Sequence, residues 1–317
     1  MVGVQPVVLA LRMEFLMTKI NLSLPGLYQL YFLNRVFIET LEQHPERLNE
    51  DVKIDSVYGT PSCKWNGGRA IDRNDLDNLN EEKFLEIINF YNKRNIRIRL
   101  TFTNLLVSEE LLDDPKGNRI LQLVFENTTT ADVNVGTTLL KEYIENKYPG
   151  HFNFVYSTTL RIKNVDEINE ITKKDMIVPD YSINNNFEIL ERLSNPDKIE
   201  LLANESCVEN CPVRKRHYLS TSKFNIGETD EIMSCRFFIH ENYYETVHNR
   251  KHYISLQKIR DEYLPLGFSN FKINGRGQYF LNALEGYLEY LIKPEYINLM
   301  RYDVTRSIVE NGRYLEV

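Results

Sequence analysis

Residues 96–156 read IRIRLTFTNLLVSEELLDDPKGNRILQLVFENTTTADVNVGTTLLKEYIENKYPGHFNFVY, and this stretch decides the fold class. Alternating or β-branched runs at 96–102, 131–135 and 152–156 are separated by helical patterns at 109–127 and 137–148. A strand followed by a helix, repeated along the chain, is typical of parallel βαβ units. The stretch therefore predicts an α/β protein with a parallel sheet.

The same alternation extends in both directions from this stretch. Further strands are predicted at 52–58, 176–178, 199–203 and 268–273, with a weaker one at 251–254, and further helices at 81–93, 165–173, 187–194, 255–264 and 279–292. Eight short, evenly spaced βα units predict a single (β/α)8 TIM-type barrel, and an open doubly wound sheet is the alternative.

The predicted units leave both ends of the chain outside the barrel. We expect one domain over 18–317, with a lead-in helix at 18–50, the barrel over about 51–295 and a C-terminal tail. Residues 1–17 are predicted to be a poorly ordered extension, with either Met1 or Met17 as the natural start.

Composition excludes several classes of protein. The 317 residues are 42% hydrophobic and 26% charged, which is ordinary for a globular protein. The net charge of −7 gives no overall attraction to anionic membrane or nucleic acid, so RNA is not favoured as a partner. No apolar run approaches the roughly 20 residues that span a bilayer, and the N-terminus lacks the basic start of a secretory signal. We therefore expect a cytoplasmic protein.

Polar side chains that follow the predicted strands are the candidate site residues, because a TIM-type barrel carries its active site at the C-terminal ends of its strands. The substrate-binding candidates are Asn66, Arg69, Asn104, Asn204, Lys272 and Arg276. An arginine grips an anion through its planar fork. For Arg69 and Arg276, an ion pair that closes the barrel mouth is the alternative interpretation.

The four cysteines of the chain suggest a metal site. Cys63, Cys207 and Cys211 fall in polar loops at the predicted C-terminal end of the barrel, and Cys235 lies in the excursion that follows. All-cysteine ligation with irregular spacing is more typical of a [4Fe–4S] cluster than of a zinc knuckle, and zinc is the alternative. Structural thiols or a redox pair are the remaining interpretations.

Other residues are candidates for catalysis or simple ion pairing. His217 follows Cys211 by six residues, so we predict an acid–base or supporting role for it, and Arg214 is the second catalytic candidate. Arg97 and Arg99 alternate onto one strand face, which favours ion pairs over nucleic acid binding. The sequence contains no G-x-S-x-G elbow, and His240-Glu241 lacks the second histidine of a zincin.

Two segments resemble the U32 family, whose members are often labelled collagenase-like peptidases. They are Asn204-x2-Cys207-x3-Cys211-Pro212-x-Arg214-x2-His217-Tyr218 and Phe271-Lys272-Ile273-Asn274-Gly275-Arg276. Tyr58-Gly59 and the Gly67-Gly68-Arg69 turn are also similar to the family, and the resemblance covers residues 52–295. The family's late strand reads Lys-Ile-Glu-Gly-Arg, so Asn274 here replaces a glutamate.

The resemblance implies a TIM-type barrel and, as in several members, a [4Fe–4S] cluster on four cysteines. One member pairs an early cysteine with a later C-x3-C, which resembles Cys63 with Cys207 and Cys211 and leaves Cys235 as the fourth ligand. Some members take part in oxygen-independent hydroxylation of tRNA, rRNA or ubiquinone precursors.

The leading hypothesis is therefore an iron–sulfur redox enzyme of the hydroxylase type that acts on an unidentified anionic substrate with an electron donor as partner. The alternatives are a non-catalytic binding protein stapled by iron–sulfur or zinc, and a U32-type peptidase, for which the residues supply no catalytic dyad or triad.

Overall fold

Eight parallel strands form one sheet in the computed structural model, which describes residues 19–76, 78–235, 243–275 and 280–310. The strands are β1 Ile20–Pro25, β2 Val52–Tyr58, β3 Arg97–Phe102, β4 Ala131–Val135, β5 Phe152–Tyr156, β6 Met176–Ile177, β7 Glu200–Leu202 and β8 Asn270–Lys272. Their order is β6-β5-β4-β3-β2-β1-β8-β7, and a parallel bridge between Ile177 and Ile199 joins the two edges. The predicted (β/α)8 TIM-type barrel is confirmed.

The first strand corrects the sequence interpretation of residues 18–50. Instead of a lead-in helix alone, this region holds β1 and the helix that follows it. In β1 the apolar Ile20, Leu22 and Leu24 are fully buried in the core, while Ser23 on the opposite face lies inside the barrel. Alternation with period two was therefore present in the sequence. The predicted strand at 251–254 is wrong, because these residues form a turn and an extended loop.

Helices alternate with the strands and cover the outside of the barrel. They are α1 Tyr31–Gln43, α2 Glu81–Asn92, α3 Pro115–Asn127, α4 Thr138–Lys147, α5 Val165–Thr172, α6 Phe187–Leu190, α7 Arg214–Ile226, α8 Tyr243–His248, α9 Leu256–Lys258, α10 Phe280–Leu291 and α11 Ile297–Glu310. Six of them begin at side chains that accept a hydrogen bond from a first-turn N–H group, namely Asn80, Asp114, Thr137, Asn164, Asn186 and Ser255. Each such cap stabilises its helix by about 0.5–2 kcal/mol.

The C-terminal segment is a helix rather than the predicted tail. Helix α11 packs against α1 and α10, and the buried Arg47 ties it to the base of the barrel through Asp303 at 2.6 Å. None of the helices in the described ranges is long and apolar enough to cross a membrane. The predicted extension at 1–17 lies outside the described residues.

The inside of the barrel is unusually polar. TIM-type barrels are ordinarily filled by branched aliphatic side chains, but here Arg99 of β3 reaches across to Glu200 of β7, with N–O distances of 2.6 and 2.7 Å. Arg99 also contacts Asp132 at 3.2 Å, and Arg97 pairs with Asp132 and Asp55. The prediction that these two arginines form ion pairs is therefore confirmed.

Candidate functional site

Helix α7 lies across the mouth of the barrel, at the C-terminal ends of the strands. At its first residue, the Arg214 guanidinium contacts Asp180 beyond β6. Near its last turn, Asn225 Nδ2 donates to the backbone oxygens of Asn66 and Arg69 beyond β2, both at 2.8 Å. Thirteen helical residues span about 20 Å, which is enough to cross the opening. Helix α7 is therefore a roof over the mouth.

The composition of α7 agrees with this position. Its buried side chains are polar or aromatic-polar, namely Arg214, Tyr218, Thr221, Ser222 and Asn225. A helix that packed on the outside of the sheet would bury an apolar stripe instead. In the chain order, the outer place between β7 and β8 is taken by α9 and its continuation through 259–266.

Two of the predicted substrate-binding asparagines hold loops in place. Asn66 Oδ1 accepts from the Cys63 N–H at 2.6 Å, and its Nδ2 donates to the Thr101 oxygen. Asn104 Nδ2 donates to the backbone oxygens of Lys64, Asn66 and Ser222, and its Oδ1 accepts from the Leu106 N–H. Both amides are buried and engaged by backbone groups, so they shape the mouth.

Asn204 has a similar structural role between β7 and β8. Its Oδ1 accepts from the Asn274 N–H at 2.5 Å, and its Nδ2 donates to the Asn274 oxygen at 3.4 Å. Glu205, which the sequence interpretation did not select, is fully buried beside this pair. Its Oε1 accepts from Asn274 Nδ2 at 3.2 Å and from the Cys207 N–H at 3.0 Å. The departure from the family motif at Asn274 thus places an amide against a buried carboxylate.

Lys272 points into the barrel at the end of β8. Its Nζ lies 3.7 Å from the centroid of the Tyr58 ring. On the opposite face of the strand, Ile273 packs on α10, where an added Cβ on Gly286 would lie 3.2 Å from its Cγ2. Burial raises the pKa of Glu200, but the positive charges of Arg99 and Lys272 outweigh that effect and hold the pKa below its ordinary value. Lys272 and Ile273 therefore lie on opposite faces of the strand.

Arg214 joins the rim of β5 to the rim of β6. Its guanidinium is 4% exposed, lies 3.8 Å from the centroid of the Tyr181 ring, and donates to Asp180, Thr158 and the Tyr218 hydroxyl. Burial raises the pKa of Asp180, but the charges of Arg214 and Arg161 and the hydrogen bonds from Ser182 together outweigh burial and lower it. Asp180 therefore carries a negative charge at neutral pH.

Basic side chains outnumber carboxylates in the described part of this mouth. Those on the four loops or strand ends around it are Arg69, Arg161, Arg214 and Lys272, and the buried carboxylates beside them are Asp180 and Glu205, with Glu200 beneath Lys272. The mouth is locally positive on a chain whose net charge is −7.

The cysteines occupy different surroundings. Cys63 is fully buried beside Asp114 and Lys116, and burial raises the pKa of its thiol well above the ordinary range. Cys207 lies near Tyr181 and Cys211, and burial and the Glu205 charge raise its thiol pKa. Cys235 is half-buried in the excursion that follows α7. All four are free thiols.

The structure does not assemble the predicted ligand set. Within residues 19–76, 78–235, 243–275 and 280–310, no three cysteine, histidine, aspartate or glutamate side chains are grouped closely enough to hold a metal ion. All four cysteines fall in those ranges, so Cys63 does not join Cys207 and Cys211 at one point. The four-cysteine arrangement thus does not fit a [4Fe–4S] cluster as these residues stand.

Of the remaining predicted site residues, the structure describes His217 and Arg69. His217 lies half-buried on α7, with its ring stacked on Tyr218 at 6.2 Å between centroids. Arg69 follows β2 on the loop held by Asn225, and its side chain is exposed. Arg276 lies outside the described residues.

A buried histidine near Glu205 was missed by the sequence interpretation. His252 is 2% exposed, its Nε2 lies 2.9 Å from the Glu205 backbone oxygen, and its ring stacks on Tyr181 at 4.5 Å. Burial lowers its pKa, so the ring is neutral and Nε2 carries the proton donated to the carbonyl. Its Nδ1 has no hydrogen-bond partner within the part of the chain that the structure describes. No sequence signal marked His252, because its neighbours come from distant loops.

Comparisons with known proteins found structural similarity. No protein-family model and no curated protein matches the chain. The chain is similar to the solved structure of the U32 peptidase Mk0906, with 14% sequence identity and a TM-score of 0.47, over 83% of this chain and 94% of that one. The resemblance to the U32 family in the sequence segments stays a prediction, and the fold assignment rests on the strand topology described above.

Proposed function

We propose that the barrel mouth binds an anionic small molecule beneath α7. The observation that supports this proposal is the gathering of four basic side chains, from separate loops and strands, around two buried carboxylates. A concave site of one sign with low-dielectric walls concentrates ligands of the opposite sign. These positive charges stand on a chain whose net charge is −7.

Lys272 and Arg69 are the proposed contacts to the ligand on the β8–β1–β2 side. Lys272 is supported from below by Glu200 and laterally by the Tyr58 ring, which orients its ammonium. Glu205 places a buried carboxylate next to the same strand end, where it could exchange a proton with a bound molecule. The combination supports ligand binding first and acid–base chemistry second.

Neutralising Lys272 is the direct test. We expect Lys272→Met to weaken binding of a small carboxylate such as citrate by about tenfold, because it removes one of the positive charges that attract the anion. This factor corresponds to about 1.4 kcal/mol of binding free energy. Isothermal titration calorimetry and the ligand-induced rise in melting temperature measure the effect. Arg69→Met, at an exposed position, gives a second variant whose folding is not in question.

The matched control is Lys93→Met, which removes the same charge from an exposed side chain after α2. This variant should bind like the wild type. Equal weakening in all three variants would mean that only overall charge matters, and unchanged binding in both mouth variants would contradict the proposed site.

The finer hypothesis of an iron–sulfur hydroxylase stays a prediction, and metal content decides it. Since Cys63 does not meet Cys207 and Cys211, we expect Cys63→Ser to leave the iron, sulfide and zinc content of anaerobically purified protein unchanged. Cys211→Ser is the comparison variant. Stoichiometric iron and sulfide lost from both variants would instead support a cluster shared by the three loops, and zinc alone would support the stapled binding protein.

A further inference from the structure

Arg161 has an unusual backbone and an unusual environment. It follows β5 with φ 60° and ψ 35°, a left-handed backbone conformation that residues other than glycine rarely adopt. Its Nε is buried and has no hydrogen-bond acceptor among the described residues, although Asp180 lies 3.5 Å away. The guanidinium remains one-third exposed. A strained residue with an unsatisfied donor at the rim of the barrel indicates a ligand-binding position.

Arg214 provides further donors on the other side of Asp180. A guanidinium has five N–H groups, and acceptors on Tyr218, Asp180 and Thr158 account for three of them. The other two have no acceptor within the described chain, although the side chain is 4% exposed. Two arginines therefore share Asp180, Glu205 is the further carboxylate whose charge acts on Arg214, and spare donors remain at the β5–β6 rim.

The start of α7 adds positive charge to the β5–β6 rim. Its first three residues are Arg214, Lys215 and Arg216, its first turn has no acidic residue, and no side chain caps it. Basic residues at the positive end of a helix are unfavourable unless an anion offsets them.

We propose that Arg161 and Arg214 form a subsite that binds the phosphate group of a small phosphorylated molecule. Phosphate suits the spare donors better than a carboxylate does, because it carries up to two charges and three acceptor oxygens, and arginine binds it through paired N–H groups. The inference rests on the proposed function, since it assigns one end of the anionic ligand to the β5–β6 rim, apart from Lys272 at the end of β8. Arg161 gains an acceptor for Nε when the subsite is filled.

The test compares two positions with left-handed backbones. Arg161→Gly removes the guanidinium and relieves the backbone, so it should weaken binding of inorganic phosphate by at least about tenfold while the melting temperature of the ligand-free protein stays the same or rises. Asn95→Gly is the matched control, since Asn95 also has a positive φ of 55° in an exposed turn. It should leave phosphate binding unchanged. Titration calorimetry on the full chain measures both, with acetate as the comparison anion.

The outcomes separate this inference from the proposed function. Absence of phosphate binding to the wild type, or phosphate binding that survives Arg161→Gly, overturns the subsite, whereas the citrate result with Lys272→Met judges the mouth independently. A lower melting temperature in Arg161→Gly together with unchanged phosphate affinity would assign Arg161 a purely structural role. Binding of a short RNA that competes with phosphate and is lost in Arg161→Gly would overturn the small-molecule assignment.

Discussion

Replacing Arg99 with methionine is expected to lower the free energy of unfolding by about 3–5 kcal/mol, because it leaves buried carboxylates without their partner. Arg99 is 1% exposed, and it contacts both oxygens of Glu200 and one oxygen of Asp132 inside the barrel. Methionine retains much of the volume, so the loss measures the missing charge and not a cavity. Urea denaturation followed by circular dichroism gives the value.

Two further variants show whether the loss comes from uncompensated charge. Arg99→Met combined with Glu200→Gln should recover part of the stability, because the buried negative charge is removed as well. Arg97→Met serves as the control, since Arg97 pairs with Asp55 and Asp132 but is one-third exposed. It should cost about 1 kcal/mol, as exposed pairs do. Equal losses for Arg97 and Arg99 would contradict the role given to burial.

The contribution of Glu200 to the pH dependence of stability should change sign in Arg99→Met. In the wild type the pKa of Glu200 lies below its ordinary value of about 4.3. As pH falls, Glu200 therefore becomes protonated in the unfolded chain before it does so in the folded one. Its contribution to stability is complete above the unfolded pKa and is lost as pH falls through the folded pKa. Without Arg99, burial raises the pKa of Glu200, so stability should fall as pH rises from about 5 to 8. A variant that stays more stable at the higher pH would contradict this account.

Replacing Trp65 with alanine is expected to cost about 3–5 kcal/mol of unfolding free energy and also to weaken anion binding at the mouth. Trp65 is fully buried, its Nε1 donates to the Leu111 oxygen at 2.6 Å, and its ring packs edge-on against Phe102 at 5.1 Å. Its backbone oxygen accepts from the Asn104 N–H. The side chain thus anchors the loop that carries Arg69 over the mouth.

Two neighbouring substitutions separate packing from hydrogen bonding. Trp65→Phe should keep part of the packing and lose the hydrogen bond to Leu111. Its free energy of unfolding should therefore lie between those of the wild type and Trp65→Ala. Gly117→Ala should also destabilise, because an added Cβ would lie 2.5 Å from the indole ring. Chemical denaturation and citrate titration on each variant give the two readouts. If Trp65→Ala binds citrate like the wild type, the loop does not position Arg69 as proposed.

Local patterns were enough to predict most of the fold. The strands β2 through β8, the helices α2 through α6, α9 and α10 and the barrel follow from period-two runs and helical periods, which are encoded within a few neighbouring residues. Helices α7 and α8, between β7 and β8, were not predicted. The pairing of Arg97 and Arg99 with carboxylates also followed from alternation. The strand at 20–25 was missed although its alternation was visible, because the helix that follows it dominated the interpretation of residues 18–50.

The site was predicted less well, because its parts come from distant segments. Position after a strand correctly brought Lys272, Arg214 and His217 to the mouth. It could not show that the side chains of Asn66, Asn104 and Asn204 are engaged by backbone groups of other loops. Nor could it show that Cys63 lies apart from Cys207 and Cys211, since both loops begin at the same end of the barrel.

The sequence by itself determined that this chain forms a parallel barrel, that its net charge is negative, and which loops reach the mouth. The tertiary structure decided that α7 lies across that mouth, that Arg161 and Arg214 share Asp180, and that Glu205 and His252 are buried beside each other. The physical reason is range. Periodicity and capping depend on neighbours within a few residues, whereas the charge balance and burial of a site depend on side chains brought together from across the chain.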